Sequence, residues 1–126
     1  MTQIVYIALG GALGALMRYW FSTGTHMLLG KGFPYGTLVV NVIGSFLIGV
    51  LYVIMVERHE LSQELRSFVV IGLLGAFTTF STFSFETITL FEMGQANKAF
   101  MNVFVSVFSC LVVCWLGMSL ARQTSL

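Results

Sequence analysis

Aspartate is absent from the 126 residues, so all five acidic side chains are glutamates. Lysine and arginine total six, which leaves 9% of the chain charged, against about 25% in a soluble domain. Proline occurs once, as Pro34, and cysteine twice, as Cys110 and Cys114. Each shortage excludes something. No Ser/His/Asp set can be assembled, and neither a Walker loop nor a dinucleotide fingerprint occurs, so conventional enzyme chemistry has little to work with. The two cysteines lie four apart in an apolar run, where a disulfide is poorly placed and where too few other ligands stand nearby for zinc. They read as small packing residues. A net charge of +1 gives no sign of a nucleic-acid partner.

What is present is hydrophobic, at 57% of the chain. A membrane span needs roughly 20 apolar residues, and four runs qualify: Ile4–Ser22, Tyr35–Val56, Ser67–Phe91 and Ala99–Ala121. Between them lie a turn containing Gly and Pro (Gly24 to Pro34), a charged hairpin (Glu57 to Arg66) and a small link (Glu92 to Lys98). The expected architecture is all-α, a single four-helix transmembrane domain over residues 1–126. The first run lacks a basic N-terminal region and closes on Arg18-Tyr19-Trp20, so it reads as a retained helix and not a cleaved signal. Tyr19, Trp20 and Tyr35 suit the aromatic belt. Gly10-x-x-x-Gly14 and Ser45-x-x-x-Gly49 permit close helix approach.

Orientation in a membrane follows the Lys/Arg imbalance of short loops. Here Arg58, Arg66 and Arg122 fall on one side, and Lys31 and Lys98 on the other with Arg18 near that end. The balance is close to even. Noise in a small count is one explanation. A chain that inserts both ways and pairs with itself antiparallel is the other, favoured because four helices are few for building a pore alone.

Polar groups inside the apolar runs carry the functional signal. Phe77-Thr78-Thr79-Phe80-Ser81-Thr82-Phe83-Ser84-Phe85-Glu86 threads five hydroxyls between phenylalanines. Hydroxyls in hydrocarbon need partners, so the run is expected to face protein, water or a solute. Phe77, Phe80 and Phe83 recur every third residue, which places them roughly on one helical stripe, and Thr79 and Thr82 have the same spacing on an adjacent stripe. A phenyl ring has a positive edge, so Phe80 and Phe83 serve either as core or as an anion-facing pair. Asn41 either bridges helices or donates to an anion. Gly72-x-x-Gly75 ahead of the hydroxyls is either a helix break, which would free carbonyl oxygens for a cation such as Na⁺, or merely packed glycine. Glu86 and Arg18 are intramembrane ionisable residues, near enough to span ends for their stems to reach the headgroups instead. Asn102, Ser106 and Ser109 mark one face of the last helix, fit for a polar track or for plain interhelical bonding.

Three motifs together resemble the small fluoride channel family, Fluc (CrcB). They are Gly11-Ala12-x-Gly14-Ala15-x-x-Arg18-Tyr19, Gly36-Thr37-Leu38-x-Val40-Asn41-x-x-Gly44-Ser45-Phe46-x-x-Gly49, and Gly72-x-x-Gly75-x-x-Thr78-Thr79-Phe80-Ser81-Thr82-Phe83-Ser84-x-Glu86. They cover most of three helices of the four. The resemblance implies an antiparallel, dual-topology homodimer in a bacterial inner membrane, with two pores for passive, selective F⁻ exit. It also implies a broken third helix and a central structural Na⁺, held by the backbone carbonyls of Gly75 and Thr78. Phe80 and Phe83 become the ring pair facing fluoride, Asn41 a pore donor, and Ser81, Thr82 and Ser84 members of a polar track, with Arg18 at a vestibule. Fourth-helix roles for Ser106 and Ser109 and a role for Glu86 stay open. The competing reading is a small multidrug-resistance-type, proton-coupled cation exporter. That class uses a carboxylate in its first helix, and this first helix has none.

Overall fold

Apolar runs in a bilayer must satisfy their own backbone, which favours helices, and helices are what the four runs form. The structure is a computed structural model that describes residues 1–124. Helix α1 spans Thr2–Leu29 and stops at Gly30, whose φ of +83° suits glycine and whose N–H returns to the His26 carbonyl at 2.9 Å. It therefore runs through Gly24 and past the expected end at Ser22, because a lone glycine weakens a helix without ending it. Helix α2, Tyr35–Tyr52, starts after Pro34 and continues through a π-helical turn, Val53–Glu57. In the hairpin that follows, the Ser62 hydroxyl caps the short α3, Gln63–Arg66, by accepting from the Leu65 N–H at 3.2 Å.

The third run is composite. A π-helical stretch, Ser67–Leu74, leads into α4, Gly75–Phe77. Thr78 and Thr79 are extended, and α5 then covers Phe80–Glu92. After a tight link through Gly94, α6 runs Ala96–Gln123, three residues ahead of the expected start. Among the described residues, four stretches are long and apolar enough to cross a membrane: Thr2–Leu29, Tyr35–Glu57, Gln63–Glu92 and Ala96–Gln123.

Glycines decide which helices touch. A Cβ at Gly10 or Gly14 would overlap the carbonyls of Phe68 and Leu73, and one at Gly72 would meet Ile7. The first span thus lies backbone to backbone on the first half of the third. A Cβ at Gly49 would strike the Cys114 carbonyl, and one at Gly117 that of Phe46, so α2 and α6 are joined in the same way. Only 11–28% of each span's most apolar window is buried within the chain. The rest of each helix surface is left to lipid or to another chain. At one end of the bundle the Arg58 guanidinium donates to the Ala121 and Thr124 carbonyls and Arg122 pairs with Glu57 at 2.6 Å. At the other, the Lys98 ammonium donates to the Gly32 carbonyl at 3.0 Å.

Candidate functional site

The site is built where α4 gives way to α5. Thr78 (φ −87°, ψ 158°) and Thr79 (φ −154°, ψ 119°) have strand-like backbone in the middle of an apolar span. Such backbone survives at membrane depth only if its polar groups are answered. Asn41 answers both groups of Thr79: its Oδ1 accepts from the Thr79 N–H at 2.8 Å, and its Nδ2 donates to the Thr79 carbonyl at 3.0 Å. Thr79 then caps α5, its hydroxyl accepting from the Thr82 N–H at 3.1 Å. Thr78 turns back, giving both its N–H and its hydroxyl to the Leu74 carbonyl at 3.1 and 3.0 Å. A glycine opposite makes room, since a Cβ on Gly44 would collide with the Thr78 methyl.

These bonds have a consequence for two carbonyls. In an unbroken helix the Thr79 N–H would go to Gly75 and the Thr82 N–H to Thr78. Both donors are committed elsewhere. The carbonyl oxygens of Gly75 and Thr78 therefore lack the amide four residues on, and Gly75 lies at an exposed position with no atom nearer to its would-be Cβ than the Val70 oxygen at 3.7 Å.

Two cavities flank the interruption. The first, about 410 Å³, is walled by Asn41, Gly75, Thr78, Phe80, Phe83 and Ser106, among others. The Phe80 and Phe83 rings stand 5.2 Å apart at 46°. Phe83 is buried at 8% exposure, whereas Phe80 is 74% exposed. The expected three-phenylalanine stripe is split. Phe77 precedes the extended residues and is buried edge-on against Phe21, with centroids 5.6 Å apart. The second cavity, about 340 Å³, holds Arg18, His26, Thr37, Thr82 and Glu86, and shares Thr79 with the first. Within it the Arg18 Nε and the Glu86 Oε1 are buried without a hydrogen-bond partner.

The remaining hydroxyls are tied locally. Thr82 receives a hydrogen bond from the Thr79 hydroxyl at 3.1 Å, and the exposed Ser81 lies 3.3 Å from that same oxygen. Ser84 donates to the Phe80 carbonyl at 3.0 Å and Ser109 to that of Val105, one turn back in each case. Neither of those two serines lines the cavities around the interruption. On the fourth helix Asn102 and Ser106 are buried. Asn102 reaches Thr87 at 2.9 Å, and Ser106 reaches Asn102 at 3.2 Å. Thr79 as a cap and Thr87 as a buried partner escaped the list of candidate residues. A Thr just ahead of a new helical stretch is a recognisable N-cap signal for the first; nothing in the sequence marks the second. Among the described residues no three His, Cys or Glu side chains gather as a metal site.

Among the described residues, four apolar spans around a capped interruption define a multi-pass integral membrane protein. Residues 5–118 match the family model described as CrcB-like protein, Camphor Resistance (CrcB), and the chain belongs to that family. It is 56% identical over 117 residues to a Fluoride-specific ion channel FluC of Methylococcus capsulatus, covering 93% of this chain but 51% of that one. It is 52% identical over 122 residues to the FluC of a Geobacter species (97% of this chain, 98% of the relative) and 46% identical over 121 to that of Hydrogenovibrio crunogenus (96% and 92%). The chain thus spans about half the length of the Methylococcus relative and nearly all of the other two.

Proposed function

We propose that this protein is a passive fluoride channel of a bacterial inner membrane, working as an antiparallel homodimer with two pores. The observation that carries the reading is the Asn41-capped interruption opening onto a cavity walled by the Phe80 and Phe83 rings. The names of the relatives support it. Fluoride is small and strongly hydrated, so a selective path must replace its water with donors and positive ring edges while binding weakly enough for exit. Asn41 spends one N–H on Thr79 and keeps a second for an anion. Thr82 adds a hydroxyl to the second cavity, where Arg18 offers an anion positive charge beside the Glu86 carboxyl, and the exposed Ser81 lies outside both cavities, beside the Thr79 hydroxyl. The fluoride that enters a cell as neutral HF gives such an exit route its use.

The freed Gly75 and Thr78 carbonyls suit a hard monovalent cation, and their chemistry fits the Na⁺ that the family resemblance implies. When bound, that ion would supply positive charge between two copies of the chain. The multidrug-exporter alternative asks for an acid in the first span, and α1 contains none.

Purified protein in liposomes, with a K⁺ shunt, is expected to release F⁻ far faster than Cl⁻ and without a proton gradient. Equal Cl⁻ flux, or dependence on a pH gradient, rejects the reading. The balanced cations lead to a second expected result. Two or three lysines added at the C-terminus should bias insertion and lower activity, and an oppositely biased copy should restore it. Accessibility labelling that finds one orientation of the unmodified chain removes the antiparallel dimer.

A further inference from the structure

Three buried side chains outside the interruption form one directed hydrogen-bond chain. The Thr87 hydroxyl donates to the Phe83 carbonyl at 2.7 Å, Asn102 Nδ2 donates to the Thr87 oxygen at 2.9 Å, and the Ser106 hydroxyl donates to Asn102 Oδ1 at 3.2 Å. All three residues are at most 7% exposed. The direction is set at the far end. A carbonyl has no proton, so the Thr87–Phe83 bond uses the only proton Thr87 has, and Thr87 can then only accept. That orients the Asn102 amide, with nitrogen to Thr87 and oxygen to Ser106. Ser106, whose side of α6 lines the cavity with Asn41 and the two rings, has therefore spent its proton inward and has only lone pairs left to offer.

We propose that Thr87 and Asn102 are positioning residues that hold Ser106 as an acceptor, so that this wall of the cavity binds a water molecule and not the anion itself. The inference rests on the fluoride-channel reading and deepens it. A water held by Ser106 gives one O–H to the serine and points the other at the anion, which keeps one hydration partner as it passes. The wall holds the anion through an exchangeable molecule, opposite the fixed donor of Asn41. Were the chain reversed, Ser106 would donate directly and hold the anion more tightly.

The test is a double-mutant cycle on fluoride efflux from liposomes, each value normalised to recovered dimer. Thr87→Val removes the acceptor that orients Asn102, lets the amide turn and frees the Ser106 proton for the cavity. Flux should fall roughly 5- to 10-fold, a coupling of the size seen within one hydrogen-bond network. Thr87→Ser keeps every bond and should retain flux, whereas Ser106→Ala removes the anchor of the water and should lower flux about threefold, less than Thr87→Val does, because water finds other partners there. Thr87→Val should then have no further effect in the Ser106→Ala background. An undiminished effect of Thr87→Val without Ser106, or a Thr87→Ser variant as impaired as Thr87→Val, overturns the proposal. Where Thr87→Val does not fold, Ser106→Ala decides alone, since a loss of an order of magnitude would mean that Ser106 donates directly. If the parent chain moves no fluoride, only the channel reading fails. The hydrogen-bond direction is then read from the Asn102 side-chain amide resonance, which should shift in Thr87→Val and hold in Thr87→Ser; a resonance that ignores Thr87→Val defeats it.

Discussion

Asn41→Ala is expected to remove fluoride flux and folding stability together. The alanine leaves the N–H and the carbonyl of Thr79 without partners in the middle of a span. Each fully buried unsatisfied group costs about 1–3 kcal/mol, so this half-buried pair costs at most about 6 kcal/mol, and less where water entering the cavity replaces the amide. That is a large share of the 5–15 kcal/mol by which domains are typically stable. Asn41→Asp separates structure from permeation. Its carboxylate still accepts from the Thr79 N–H, so more folded protein should be recovered than with alanine. It donates nothing and adds negative charge to an anion's path, so flux should stay low. Size-exclusion profiles and thermal melts in detergent, set beside liposome efflux, read both effects. An Asn41→Ala protein that melts with the parent would show that Asn41 does not hold the interruption in place.

Phe80→Ile and Phe83→Ile are expected to lower fluoride flux by two orders of magnitude or more while leaving a folded dimer. Isoleucine fills similar space but offers an anion no positive edge. The structure separates the two cases on stability. Phe83 is buried, so its replacement should cost something under about 1.5 kcal/mol, as apolar swaps of similar volume do. Phe80 is 74% exposed within the chain, so its replacement should cost the isolated fold almost nothing. Methionine should be gentler than isoleucine at both positions, being polarizable and adaptable. Normal flux in both isoleucine variants would reduce the rings to packing.

The exposure of Phe80 bears on assembly as well. Phe85, Phe104 and Phe108 are likewise more than 70% exposed. Lipid accepts such side chains, so their exposure alone does not require a partner. Phe80 differs because it lines the same cavity as Asn41 and Ser106. A second copy laid antiparallel would close that cavity over the freed carbonyls of Gly75 and Thr78, which is the arrangement proposed above.

How much of this was legible in the sequence depends on the range of the interaction concerned. The four spans, their order and the scarcity of charge follow from local composition, since about 20 apolar residues suffice to cross a bilayer whatever their neighbours do. The small-residue motif Gly10-x-x-x-Gly14 and the glycine at 49 also pointed to close packing, because only a missing side chain lets two backbones meet. Which backbones meet was not readable: Gly10 and Gly14 lie on the third span and Gly49 on the fourth, and pairing between distant segments leaves no mark in either one alone. The hydroxyl–phenylalanine run marked the site, but helical periodicity placed Phe77 beside Phe80 and Phe83. Two extended residues, held by an asparagine 38 positions away, put it in the core instead. The same holds for Asn102, whose partner Thr87 lies 15 residues back on another helix. Composition alone determined that this is a four-span membrane protein with polar groups needing partners. Only the tertiary structure decided which partner each one found, because in a bilayer a buried donor is satisfied by whatever the packing of the helices brings within hydrogen-bond reach.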